Sequence, residues 1–457
     1  MDHRQERGAG TVDMTEGQIG KALLLFTAPI LLGNLFQLLY NTVDSIVVGN
    51  YVGLSALAAV SATTQICNTA VRFFNGVSVG AGAVISYYFG ARNREQLCLA
   101  IQTIIAITLM ACFSLTIVGL TACDWMLRQM STPAEVFAEA SLYLHIYFGG
   151  ISGLLFYNMG SAILRAVGDT RRPLQYLVIC SALNISLDLL FVLAFSWGIA
   201  GVAIATVVAQ LISACLVLSC LTRTDEPYYF SFRELRLDRS VAGQILKIGL
   251  PVGLQMAVIA FSNVFVQAYV NVFDTACIAG WGCYTKLDQY MMLPIQSMGQ
   301  AVTTFFGQNL GAKRMDRAVW GTRIALGMTL VMSAVTAAIL WSFARPLVGM
   351  FSPDADAIRF GILFLRLCCP IAIFCCFNQV FSGALRGAGF SRVPMVITLC
   401  THVAFRQLYL IVMTHLLPDS VYVVGLAYPT GWVLCALSIT IYYILWLRRY
   451  RTANIAL

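Results

Sequence analysis

Charge is scarce in this 457-residue chain: 11% of the residues are charged and 59% are hydrophobic, where a soluble domain carries about 25% charged residues. Motifs of soluble chemistry are missing too. There is no GxxxxGK[ST] loop, which argues against a nucleotide-driven pump, because that loop's amides and lysine hold the phosphates. There is no HExxH helix, no recognisable nucleophile constellation and no CxxC pair at zinc spacing. A membrane enzyme and a metal centre therefore lack support. The polar start, MDHRQERGAGTVDMTEGQIGK, has no short apolar core or cleavage site, so no leader peptide is expected. Fifteen cysteines are present, nearly all within apolar stretches. There a thiol behaves as a small apolar side chain, and no disulfide framework is expected.

What the chain does have is long hydrophobic runs separated by short polar turns. Twelve are read, at 21–49, 54–89, 97–122, 133–164, 173–195, 198–221, 244–272, 276–309, 319–343, 355–385, 394–417 and 422–447. Each reaches the roughly 20 residues a helix needs to cross the hydrocarbon. A transmembrane barrel would show segments of about ten residues with alternating polarity instead. The predicted fold is an all-α integral membrane protein, with little chain left for a soluble catalytic domain.

The runs come in two copies. LRAVGDTRRP at 164–173 is answered by LRGAGFSRVP at 385–394, an offset of 221. Gly90-Ala91-Arg92 returns as Gly311-Ala312-Lys313 at the same offset, and Pro29 returns as Pro251 at 222. Six spans per copy make the repeats parallel, so two six-helix bundles related by a pseudo-two-fold along the membrane normal are expected, facing a central cavity. The expected divisions are a cytoplasmic segment 1–20, an N-lobe 21–222, a linker 223–243, a C-lobe 244–447 and a tail 448–457. The linker, charged and aromatic (TDEPYYFSFRELRLDRS), reads either as a surface helix coupling the lobes or as a tether with aromatics at the interface.

Lys and Arg set the orientation. With both termini in the cytoplasm, only Arg128, Arg345 and Arg359 of the 29 basic residues fall outside, and Arg72, Lys286, Arg366 and Arg406 lie within spans. The positive-inside rule fits this sense and opposes the reverse. The net charge of +8 then needs no nucleic-acid partner to explain it.

The chemistry should lie among polar groups that a bilayer makes costly, roughly 2.5 kcal/mol or more for each charge in a span. Asp44, Asp188 and Asp288 qualify. Asn34, Gln37, Asn41 and Asp44 recur at helical spacing on one face, and Asn184 and Asp188 share another. Counted from the outer span ends, Asp44 lies about 5 residues in, Asp188 about 7 and Thr206 about 8, which puts all three at similar depth at about 1.5 Å per residue. Two carboxylates, an amide and a hydroxyl at one level suit Na+ or H+. A purely structural role, hydrogen bonding between helices, is the competing reading. Lys286 and Asp288 are two apart and do not face each other, so each is expected to reach another helix. Lys286, Arg366 or Arg406 binds an anionic or zwitterionic cargo group, or these residues form an ion-pair network with Asp288, and Arg72 is a candidate partner for Asp44 or Asp188.

At this point the chain resembles the multidrug and toxic compound extrusion (MATE) transporters over nearly its whole length. NTVDSIVVGNYVGLSALAAVSA looks like that family's first-helix pattern, and the duplicated GAR and LRAVGDTRRP turns look like its cytoplasmic loops. The resemblance implies an antiporter of the cytoplasmic membrane that exports small organic compounds, lipophilic cations among them, against H+ or Na+. No cofactor, enzyme activity or obligate protein partner is expected, and two complete lobes on one chain make a monomer sufficient. In the DinF-like branch the N-lobe ion site comes from four positions that Asp44, Asn184, Asp188 and Thr206 match one by one. The NorM-like branch carries acids on helices 7 and 10. Here span 7 offers Gln255, Ser262, Asn263 and Gln267, and the C-lobe positions at offset 221 are Phe405, Tyr409 and Ala427. Coupling is therefore expected in the N-lobe alone.

A permissive cargo cavity is expected from Gln37, Tyr40, Asn41, Gln255, Met256, Asn263, Lys286, Met291 and Arg366, with aromatic and Met walls that adapt to varied ligands. Pro29, Pro251, Pro294 and Pro370 are expected kink sites, and Pro29 is expected to bend span 1 during exchange. The alternative function is a lipid-linked oligosaccharide flippase of the same superfamily, for which a basic cavity built on Lys286, Arg366 and Arg406 would speak.

Overall fold

The structure, a computed structural model, describes residues 11–47, 51–52, 54–130, 132–418 and 420–455; the side chains of 40–47, 54–58, 61–62, 64–65, 451 and 453–455 lie outside that description. It is all helical among the described residues. The chain groups into two compact units, Met1–Asp13 with Ala28–Gly249, and Met14–Thr27 with Leu250–Leu457.

The first unit contains α1 (Ile19–Val47, shared at its start with the second), α2 (Leu54–Gly90), α3 (Arg94–Gln129), α4 (Ala134–Gly149), α5 (Ile151–Ala166), α6 (Arg171–Leu189) and α7 (Gly198–Thr222). After α8 (Arg239–Val270), which begins in the first unit, the second continues through α9 (Thr275–Gly311), α10 (Met315–Ser342) and the short α11 (Ala344–Gly349). It closes with α12 (Ala355–Cys368), α13 (Phe374–Gly387), α14 (Arg392–Leu399), α15 (Arg406–Leu416) and α16 (Val421–Ile455).

The units repeat one plan. In the first, α5 packs on α2, α3 and α7, and α6 on α7; in the second, α13 packs on α9, α10 and α16, and α15 on α16. Each has a bent pair, α4 with α5 at 48° and α12 with α13 at 43°. Each has a π-helical turn in the following span, Leu190–Ala194 and Cys400–Phe405. Eight described helices are long and apolar enough to cross a membrane, or ten if each bent pair is one span. The other two expected spans fall on α2 and α9, each 37 residues long. Most of α9 is buried against its own unit, so that helix does not need an apolar outer face.

The repeated motifs are repeated turns. Arg92 and Lys313 take the same left-handed φ, 54° and 58°. The following amide in each closes back onto the helix, Asn93 N to Tyr88 O at 3.2 Å and Arg314 N to Asn309 O at 2.8 Å. Gly168 and Gly389 form the second pair at φ 99° and 86°, where a side chain is strained. Local chemistry then starts the next helix. Asp169 Oδ1 accepts from the Arg171 and Arg172 amides at 3.1 Å each, Asp274 from Cys277 and Asp354 from Ala357.

Two expectations are corrected. Spans 4 and 10 are broken, not single, helices. Pro370 stands at the second break, where its ring removes a helix hydrogen bond; Pro29, Pro251 and Pro294 lie inside α1, α8 and α9. The linker is neither a free tether nor a surface helix: Tyr228 and Phe230 are core residues of the first unit, alongside Leu97, Ile101 and Ile245. Its backbone is tied in by Phe230 N to Leu221 O at 2.9 Å and Asp238 N to the Thr103 hydroxyl at 3.2 Å.

Candidate functional site

The α6 helix reads inside out. Its buried positions are Pro173, Ser181, Asn184 and Asp188, while Val178 and Ile179 are exposed. An inward polar stripe beneath an apolar outer face is the arrangement expected of a span that carries function. The stripe meets α7 through Asn184, whose Nδ2 donates to Thr206 Oγ1 at 3.4 Å; that hydroxyl donates in turn to Val202 O at 3.0 Å. Asn184 is 1% exposed, Asp188 0% and Thr206 7%. Asp188 lies one turn beyond Asn184, at the end of α6 and two residues before the π-helical turn. Such turns widen the helix and recur at functional sites. Asp44 lies in α1, but its side chain is outside the described residues, as are those of Tyr40 and Asn41.

The other named positions are spread over both units. Gln37 is exposed on α1, Gln255 and Met256 are partly exposed on α8, and Asn263 is exposed there. Met291, expected at a cavity wall, is packed into the second unit's core beside Tyr284, Leu287 and Ile295. Lys286, Arg366 and Arg72, expected inside the bundle, are exposed on their helices. Lys286 lies over the Phe351 ring at 5.2 Å and Arg366 over Trp341 at 5.8 Å, so each spends its charge on an aromatic face. Among the described residues Lys286, Asp288, Arg366 and Arg406 form no ion pair, which removes the expected network in this state. Arg406 alone of the basic trio is buried.

The chain contains one match to a nucleophile motif. Gly76-Val77-Ser78-Val79-Gly80 fits GxSxG, yet it lies within unbroken α2, and Ser78 Oγ is spent on Phe74 O at 3.0 Å. A nucleophile of that motif needs a sharp strand-to-helix turn, which is absent here.

Fold and site define an integral membrane protein built of two like helical units, with the acid-bearing polar stripe in the first. A family model described as MatE matches residues 29–190 and again 251–406, and the chain belongs to that family of multidrug transporters. The two matches begin at Pro29 and Pro251. The probable multidrug resistance protein YpnP of Bacillus subtilis is 29% identical over 387 residues, covering 85% of this chain and 86% of its own. A FAD transporter of Shewanella oneidensis is 25% identical over 395 residues, 84% and 85% of the two chains. An outward-facing multidrug resistance transporter of the MATE family has the same fold, with a TM-score of 0.91 at 22% identity over 98% of this chain and 100% of that one.

Proposed function

We propose that this chain exports organic compounds across the cytoplasmic membrane by exchange for H+ or Na+, with both termini in the cytoplasm and one chain sufficient. The observation that carries the reading is the buried stripe of α6 against α7. Asn184 and Thr206 are hydrogen-bonded and Asp188 is buried one turn away, whereas the same offset in the second unit holds Phe405, Tyr409 and Ala427. Asp188 supplies the exchangeable charge, Asn184 and Thr206 neutral oxygens, and Asp44 the second carboxylate. A hard cation such as Na+ takes such oxygens as ligands, and a proton needs only the carboxylates.

Names of relatives support two cargo classes. Most are multidrug proteins, which suits a lipophilic cation; the Shewanella relative is a FAD transporter, which suits a cargo bearing phosphates. The flippase alternative rested on a basic trio, and the multidrug and FAD relatives favour small-molecule cargo over it.

The test is efflux of a fluorescent organic cation from proteoliposomes, with sodium and pH gradients imposed separately on wild type and Asp188→Asn. Efflux driven by one gradient and lost in the variant supports the reading and names the ion. A variant that exchanges like wild type removes Asp188 from the coupling.

A further inference from the structure

The second unit carries its own buried polar centre, of opposite sign. Arg406 opens α15 directly after the Cys400–Phe405 π-helical turn and is 1% exposed. Its offset partner is Ile185, within one helical turn of Asp188. Near the middle of a span an arginine ordinarily stretches its head toward water; this one turns inward. Its Nη2 donates to Ser262 Oγ of α8 at 2.7 Å, and its guanidinium lies 4.7 Å from the Tyr428 ring centre. Gln407 Nε2 also donates to Ser262, to Oγ at 3.1 Å and to the carbonyl oxygen at 3.2 Å.

Two features of this centre are unfinished. Arg406 Nε is buried with no hydrogen-bond partner among the described residues. The titratable groups that act on Arg406 are Tyr428 and His402, and neither is a carboxylate. Donors from Arg406 and Gln407 thus converge on one hydroxyl; the Asp288 carboxylate of α9 acts on Tyr428 and, among the described residues, forms no ion pair with Arg406. Buried charges are ordinarily paired, and the complement of a planar guanidinium with a spare N–H is an oxyanion.

We propose that Arg406, Ser262 and Gln407 form an anion subsite that takes a carboxylate or phosphate group of the transported compound. The assignment rests on the transport reading and deepens it: the first unit holds the coupling cation, the second reads a negative group on the cargo. On entry of the anion, Ser262 parts from Arg406 and turns its hydroxyl to donate alongside Nε and Nη2.

The test uses a xanthene dye with a free carboxylate and its methyl ester, matched in all else. Binding to purified protein in phosphatidylcholine nanodiscs, with no gradient present, is read for wild type, Arg406→Gln, Arg406→Lys and Ser262→Ala. The acid-to-ester ratio of affinities is expected to fall about tenfold in Arg406→Gln, less in Arg406→Lys and Ser262→Ala, with melting curves of all four showing folded protein. An equal loss for both dyes, no loss, or no binding of either overturns the subsite. Tightening of phosphatidylglycerol through Arg406 without an acid–ester difference assigns the site to lipid phosphate and overturns the cargo role. Because binding is read without a gradient, a wild type that distinguishes the dyes but drives neither fails the transport reading alone.

Discussion

The α6–α7 pair of the first unit and the α15–α16 pair of the second share a plan and differ in chemistry. Both follow a bent pair, both have a π-helical turn in the span, and both pack on the last helix of their unit. In the first, buried Asn184 looks to Thr206 with Asp188 buried one turn away; in the second, Arg406 looks to Ser262 and Tyr428. Duplication preserved what the backbone requires, namely turns, caps and breaks. Side chains inside each copy were free to diverge, because a buried polar group must satisfy only its own neighbours. Two like frames thereby hold charges of opposite sign.

Removing the charge should break the comparison most sharply. Asp188→Asn is expected to lower gradient-driven efflux at least about 100-fold, about 2.7 kcal/mol, while Tyr409→Phe, at the offset position, leaves it within about twofold; initial rates in proteoliposomes check both. A second test copies a first-unit residue into the second. Ala162 of α5 corresponds to Gly383 of α13, where a Cβ would lie 2.5 Å from the Gly299 carbonyl oxygen of α9. Gly383→Ala should cost about 1–3 kcal/mol of stability, seen as a lower melting temperature in detergent.

Smaller effects sharpen the picture. Thr206→Ala removes the oxygen that accepts from Asn184 and should weaken coupling-ion affinity about fivefold, the worth of one hydrogen bond. Thr206→Ser should restore it, and ion titration of efflux distinguishes the two. The paired turn glycines provide the finest comparison. Both have positive φ, so alanine at either is expected to cost about 1 kcal/mol. A Cβ at Gly168 would also meet Val12 O at 2.5 Å, whereas nothing lies within 4 Å at Gly389. Gly168→Ala should therefore melt lower than Gly389→Ala, and equal melting temperatures would discount the Val12 contact.

Much of the frame was legible because it is written locally. The polar stripe of α6 shows as Asn184 and Asp188 four apart, and the turns show as duplicated Gly-containing motifs with an Asp placed to cap the next helix. Helical spacing alone does not say which polar residue turns inward. Lys286, Arg366 and Arg406 looked equivalent in their spans, yet Lys286 and Arg366 rest on aromatic rings at the surface of their helices and only Arg406 is enclosed. Tyr228 and Phe230 similarly looked like interface aromatics until α3 and α8 closed over them.

By itself, then, the sequence determined the membrane setting, the helical spans, their duplication and the basic turns between them, since hydropathy and turn chemistry act over one or two helical turns. Tertiary structure alone decided the breaks within spans 4 and 10, the docking of the linker and the meeting of Arg406 with Ser262, 144 residues away in the chain. Those depend on which neighbouring helix faces each residue, and no local pattern encodes that choice.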